Sequence, residues 1–189
     1  MLGDATKRSQ AEQMSLFPEK ERKKRPKVIT HVNICSGENP QPGYWNVDIR
    51  DVEGVDEIIN LNRAPWPWQD LEEIRAYDAL EHLTPLGEEK GQENIVGVME
   101  AIWDALRLGG RLEFWVPTTE GRGAFQDPTH KTYWNVNTFS YFAPEAEGSN
   151  WGIYRFRAGF KLLEFEQTPF TETGITWLRG VLEKIKVPE

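Results

Sequence analysis

The chain has one cysteine in 189 residues, which excludes an intramolecular disulfide and a cysteine-based zinc site. It has no run of 18 apolar residues, so no membrane-spanning helix is expected. No apolar segment precedes a small-residue cleavage site near the N-terminus, so it does not read as secreted. A reducing, cytoplasmic location is expected. There is no G-x-G-x-x-G: Gly37 stands alone where that phosphate-binding pattern wants three glycines. Histidines number three; Glu81 and His82 with Asp127 and His130 could make an oxygen/nitrogen metal site, but no His-x-x-x-His spacing supports it and no metal is expected. Internal repeats and low-complexity segments are also lacking.

Charge is abundant but unevenly placed. Residues 1–27 carry +4, so the remaining residues carry −12 of the net −8. An acidic body of that kind repels nucleic acid, leaving only the basic cluster Lys20, Arg22, Lys23, Lys24, Arg25 and Lys27 as a nucleic-acid or acidic-partner contact. Residues 1–26 have few apolar residues and no periodicity and are expected to form a flexible basic tail, with one domain over 27–189. Eight tryptophans and 39% apolar residues provide for a full core in that domain.

Within it, the stretch 28–51 has the most information. An apolar, β-branched run (Val28, Ile29, Val32, Ile34) gives way to Cys35, Ser36, Gly37, Asn39, Pro40, Pro42 and Gly43. A second run, Tyr44-Trp45 with Val47, ends on Asp48. Strand, small-residue turn, strand, acid is the build of an α/β nucleotide site: the turn admits the ligand and the acid accepts hydrogen bonds from ribose hydroxyls. Only about nine residues separate the two runs, too few for a helical crossover, so the first connection must be a turn. Further strands are expected at 56–61, 73–77 and 111–116. Ile95, Val98, Met99, Ile102 and Leu106 predict a helix over 88–107, with Gly109-Gly110 as its C-terminal stop. Residues 117–150 lack a long regular element and read as a binding loop. A strand at 160–166 and a second at 175–186, where Leu178 and Leu182 also permit a helix, close the chain. The fold class is therefore α/β, a mostly parallel twisted sheet with helices on both faces and an antiparallel C-terminal edge hairpin.

Several segments occur in an order that resembles one family: VNICSGENPQPGYWNVDI (32–49), NLNRAPWPW (60–68), AYDALEHL (76–83), ALRLGGRLEFWVP (105–117) and FQDPTHKTYWNVNTFSYF (125–142). On these the chain resembles class I S-adenosylmethionine-dependent methyltransferases, particularly the small bacterial and phage type, with a Rossmann-like fold. The resemblance implies S-adenosyl-L-methionine as cofactor. It also implies a methionine-end contact at Asn33, Cys35, Ser36 and Gly37, and ribose binding by Asp48. The adenine would lie beside Asn60 and Leu61, and Asp78 would be on the sulfonium side. Cys35 stands where glycine is usual and Asn60 where aspartate is common. Those departures keep open a non-catalytic, methyltransferase-like binding module; a nicotinamide-dependent oxidoreductase is the third reading. The acceptor is not legible. An N-P-P-Y/F signature is absent after the fourth strand, and Cys35 is not in a Pro-Cys setting there, which argues against methylation of exocyclic amines in DNA and of cytosine C5.

Four residues are candidates for catalysis. His130, oriented by Asp127, can act as a base for the acceptor; the alternative is a loop histidine whose Asp127 only caps a turn. Glu81 and His82 follow the fourth strand, where ligands bind in open α/β sheets; the alternative is a helix N-terminal pair. His31 is expected to be a packed strand residue and Cys35 a small residue rather than a nucleophile. Trp66 and Trp68 can border the adenine or form a rigid corner. The aromatics Phe125, Tyr133, Trp134, Phe139, Tyr141 and Phe142 are expected to close over the cofactor and shape the acceptor pocket.

Overall fold

The computed structural model describes residues 23–63, 65–84, 94–154, 156–170 and 172–187. Most of the expected tail, and the expected helix start at 88–93, lie outside the described residues.

Seven strands form one sheet: β1 (His31–Ile34), β2 (Trp45–Asp48), β3 (Glu57–Ile58), β4 (Leu71–Tyr77), β5 (Leu106–Pro117), β6 (Phe160–Gln167) and β7 (Trp177–Lys184), in the order β3-β2-β1-β4-β5-β7-β6. The first five are parallel, and β7 runs antiparallel to both β5 and β6. The mostly parallel sheet and the C-terminal edge hairpin are as the sequence predicts. The ambiguous 175–186 segment is a strand because its alternation matches the pairing: Leu178 and Leu182 lie opposite Val116 and Leu112 on the core face. The third strand is only two residues long, shorter than 56–61.

Register divides the sheet into two faces. Val32, Trp45, Ile74 and Leu112 line up across four strands, as do Ala76 and Phe114, and this face builds the core. Helix α1 (Ile95–Ala105) covers it with Val98, Met99, Ile102 and Ala105, while Phe139 stacks on Phe114 with ring centroids 4.6 Å apart. On the opposite face, Arg75 donates from Nε and Nη2 to Glu113 Oε2 at 3.1 and 2.8 Å and lies over the Tyr44 ring at 4.5 Å. That face is partly open to solvent, with Trp115 exposed.

Asn94 starts α1 as its N-cap, its side chain accepting from Val96 N at 2.9 Å. The helix does not run on to the glycine pair. It stops at Ala105 because Leu106 is already extended and paired with Leu71. Gly109 is left-handed (φ +74°), but it serves an irregularity inside β5, where Leu71–Glu73 face Leu106–Arg111. A Cβ on Gly110 would lie 2.6 Å from Leu71 O, so the glycine is needed for strand contact rather than for helix termination.

The three connections leading from β1 to β4 contain no α-helix among the described residues. The first is a turn, as its length requires. Residues 117–150 contain only the short helices α2 (Gly123–Gln126) and α3 (Val136–Ser140), followed by α4 (Trp151–Tyr154). No helix among the described residues is long and apolar enough to cross a membrane.

Candidate functional site

From β1 the chain moves outward through β2 to β3, then returns to the other side of β1 for β4 and β5. Such a reversal leaves a crevice over the carboxyl ends of the strands, because the connections on either side diverge. A cavity of about 520 Å³ opens there. Its walls come from the strand ends: Cys35 after β1, Asp48 to Arg50 at the end of β2, Ile59 to Asn62 after β3 and Asp78 after β4. His82 and Leu83 follow, and Thr129 and Lys131 reach in from the long loop.

Backbone strain is concentrated at this crevice. Cys35 (φ +50°) and Asp78 (φ +53°) are non-glycine residues in the left-handed region, each directly after a strand. The Cys35 thiol is pushed up to about 12 by burial, then by the Asp48 and Glu81 carboxyl groups. It stays protonated at neutral pH and is no nucleophile, consistent with its reading as a small turn residue. Asp48 Oδ2 accepts from Gly37 N at 2.9 Å and Oδ1 from Arg50 N at 2.8 Å, so the turn and the acid are locked together. The Arg50 guanidinium, largely exposed, pairs with the same oxygen at 3.3 Å.

The other residues expected at the cofactor divide. Asn60 and Leu61 are on the cavity wall. Asn60 Oδ1 accepts from Asn62 N at 3.0 Å, and Asn62 Oδ1 from Thr84 N at 2.6 Å, which ties this wall to the segment just after residues 80–82. Asn33 is not on the wall. Its amide donates to Asn46 Oδ1 at 2.9 Å, inside a buried asparagine pair that braces β1 against β2. Ser36 is buried behind the wall, and its backbone N donates to Val47 O at 3.0 Å. Trp66 and Trp68 are buried and off the wall, Trp66 donating to Leu61 O at 2.9 Å: they form the rigid corner, not an adenine border.

Beyond Asp78, a 3₁₀ turn over Leu80–His82 presents Glu81 and His82. The long loop is pinned to this turn by Lys131 N and Thr132 N, both donating to Glu81 O at 2.7 and 3.0 Å, and by Thr132 Oγ1 donating to Leu80 O at 2.9 Å. This docking brings His130 beside His82, their ring centroids 4.8 Å apart. Glu81 is 1% exposed, and neither carboxyl oxygen makes a hydrogen bond of normal geometry. Burial, then its interaction with the Asp78 carboxyl, raises its own carboxyl to about 9, so it is a neutral acid at pH 7.

His130 is oriented differently from the sequence expectation. Its Nδ1 meets Ala124 O at 2.9 Å; a carbonyl only accepts, so Nδ1 carries the hydrogen. Asp127 Oδ2 is 3.9 Å from His130 Nε2, too far for a hydrogen bond. Asp127 instead holds Thr129, accepting from its N and its Oγ1 at 2.7 Å each, and those two bonds hold its carboxyl below the usual range. It caps a turn. His82, not His130, is on the cavity wall.

The expected aromatic lid is also different. Trp134, Phe139 and Phe142 are buried in the core, and none of the six loop aromatics lines the cavity. Phe125 and Tyr133 stack on each other in solvent, centroids 5.1 Å apart. What the loop contributes is Thr129 and Lys131, polar neighbours of the histidine singled out from sequence; Arg50 and Asn62 are likewise wall residues unmarked by any motif.

No protein-family model matches the chain, and no curated protein matches its sequence. Solved structures do match its fold. The Burkholderia thailandensis 1,6-didemethyltoxoflavin-N1-methyltransferase, with S-adenosylhomocysteine bound, superposes with a TM-score of 0.51 at 12% identity, covering 84% of this chain and 72% of that one. N-methyltransferase NodS of Bradyrhizobium japonicum, also with S-adenosylhomocysteine, gives 0.51 at 11% identity over 84% and 79%. The [4+2]-cyclase SpnF gives 0.52 at 12% identity over 83% and 74%. The chain thus has the Rossmann-like fold of S-adenosylmethionine-dependent methyltransferases, a fold that also carries a cyclase; the fold alone does not assign the reaction.

Proposed function

We propose that the protein is a methyltransferase that uses S-adenosyl-L-methionine. The observation that carries this reading is the cavity at the strand-order reversal, with Asp48 on one wall and Asp78 on the other, at the ends of strands flanking β1. The residues fit the cofactor. Asp48 offers the ribose hydroxyls a carboxylate already aligned by Gly37 and Arg50. Ile59, Asn60, Leu61 and Asn62 offer a mixed apolar and amide wall for a purine. Cys35 and Asp78 border the centre, where an acid suits a cation.

When bound, the cofactor supplies a methyl group activated by its sulfonium, so transfer breaks the C–S bond as the acceptor's lone pair forms the new bond. The protein's part is alignment of the two reactants, and proton removal where the acceptor bears one. The acceptor side is assigned to His82, Thr129 and Lys131 on the wall, with His130 and Glu81 behind them. Asp127 acts by holding Thr129. Unprotonated Nε2 of His82 and of His130 are the atoms able to take a proton.

Isothermal titration of the purified chain with S-adenosylmethionine and S-adenosylhomocysteine tests this. Saturable binding is expected, weakened at least about tenfold, or 1.4 kcal/mol, in Asp48→Asn, which keeps an acceptor for Gly37 but loses the charge. Folded protein that binds neither compound at millimolar concentration refutes the reading.

A further inference from the structure

Glu81 holds unspent lone pairs in a buried setting, and His82 and His130 each have a ring nitrogen free beside it. Neither Glu81 oxygen makes a hydrogen bond of normal geometry although the residue is 1% exposed; the side chain it interacts with most strongly, Asp78, is itself an acid, and a buried carboxyl so placed is costly. The histidines point the same way. His130 Nδ1 donates to Ala124 O, leaving Nε2 bare. Thr129 Oγ1 donates to Asp127 Oδ1, so it must accept from His82 Nδ1, 3.2 Å away, and His82 Nε2 is bare as well. One ligand atom from each of the three residues lies within 4.8 Å of the others, with His130 Nε2 4.0 Å from Glu81 Oε1.

We propose that Glu81, His82 and His130 form a binding site for a divalent first-row transition-metal ion such as zinc, manganese or iron(II). Two imidazoles and one carboxylate, the Glu81 proton being released as the ion binds, suit these ions better than magnesium or calcium, which favour all-oxygen sites. The surroundings are those of a metal site. Each imidazole has its Nδ1–H anchored, one by a main-chain carbonyl and the other through Thr129 to Asp127. Such anchoring fixes the ring and its tautomer for ligation through Nε2. Bond lengths of about 2.0–2.2 Å put neighbouring ligand atoms roughly 3 Å apart, so side-chain shifts on the order of 1 Å close the cluster on an ion. The loop docking at Glu81 O holds the three residues together without the ion.

His82 belongs both to this cluster and to the cavity wall, so the cluster adjoins the ligand space. Three protein ligands with open positions make a catalytic rather than a closed structural arrangement. Resting on the methyl-transfer reading, the ion would bind an acceptor oxygen and lower its pKa, the proton leaving to solvent. His82 and His130 would then act as ligands rather than bases.

The full chain, stripped with chelator and dialysed, is titrated with zinc, cobalt(II) and magnesium, each alone, by calorimetry. One equivalent of zinc or cobalt is expected per chain, with magnesium at least about tenfold weaker. His82→Ala and His130→Ala are each expected to weaken zinc at least about tenfold, whereas His31→Ala, in β1, leaves it unchanged. The His130 side chain is only 6% exposed; should its variant not fold by circular dichroism, His82 and the near-isosteric Glu81→Gln carry the comparison. Absence of saturable zinc and cobalt binding overturns the proposal. So do wild-type affinity in folded His82→Ala, and preference for magnesium. Titration of the metal-free chain with S-adenosylhomocysteine reads the methyl-donor site separately, so that either result can fail without the other.

Discussion

Cys35 is the residue on which the turn after β1 depends. It occupies a left-handed conformation that disfavours any side chain, and its small thiol feels the Asp48 and Glu81 carboxyl groups. With its pKa at about 12, only ~10⁻⁴ of the thiol is ionised at pH 8, against roughly a quarter of a free cysteine. Alkylation by iodoacetamide at pH 8 is therefore expected to be at least about 100-fold slower than that of free cysteine. Reaction at the free-cysteine rate would place the thiol in an open, polar setting and remove this account. The linkage has a definite sign. The unfolded thiol ionises near its ordinary 9.0 while the folded one holds its proton, so the unfolded state gains stability as pH rises from 9 towards 12. Urea midpoints should fall across that window more in the wild type than in Cys35→Ser.

At the scale of elements, the C-terminal hairpin completes the sheet through one glycine. Gly180 of β7 faces Phe114 of β5 and Phe165 of β6. A Cβ there would lie 2.5 Å from Glu164 O, 3.1 Å from Phe165 Cδ2 and 3.2 Å from Phe114 Cε1. The backbone contact cannot yield as a side chain can, and both rings belong to the aromatic cluster with Phe139. Gly180→Ala is expected to destabilise by about 1–3 kcal/mol, the cost of overpacking a filled core, read as a lowered urea midpoint at unchanged slope. A midpoint within error of wild type would mean that β6 moves aside freely.

At the scale of the whole molecule, the described end of the basic segment is in contact with the body. Lys23 pairs with Asp56 at 2.8 Å and Arg25 with Glu57 at 3.3 Å, at the β3 edge of the sheet. Asp56 keeps other partners, since Asn46 donates to it from N at 3.0 Å and from Nδ2 at 3.3 Å. Removing residues 1–22, whose composition has too little apolar content to join a core, is expected to leave the melting temperature unchanged. Extending the deletion to 26 also removes both ion pairs and should cost about 1 kcal/mol, since the cations are exposed and buried Asp56 keeps its bonds from Asn46. A large loss in the shorter deletion would show the segment to be part of the folded body.

The sheet was legible in the sequence because its signal is local. Val32 and Ile34, and Leu112 with Phe114 and Val116, each announce a strand within a few residues, and their order implied the α/β class; around Leu178 only pairing with β5 decided for strand over helix. Asp48 was legible for the same reason, an acid closing a strand two turns of chain after a small-residue loop. The end of α1 was misread because Gly109 and Gly110 look like a helix stop from nearby residues, whereas pairing of Leu106 with Leu71 ends the helix earlier. The loop aromatics were misplaced because composition shows that Trp134 and Phe139 need cover, not that Phe114 provides it. Glu81, His82 and His130 were each candidates in the sequence, but their meeting belongs to the tertiary structure. Nearly fifty residues of chain separate its parts, and they meet only because Lys131 and Thr132 bond to the carbonyl of Glu81. Periodicity and spacing report what neighbours in the chain do together; a site assembled by a long loop on a distant turn has no such period to read.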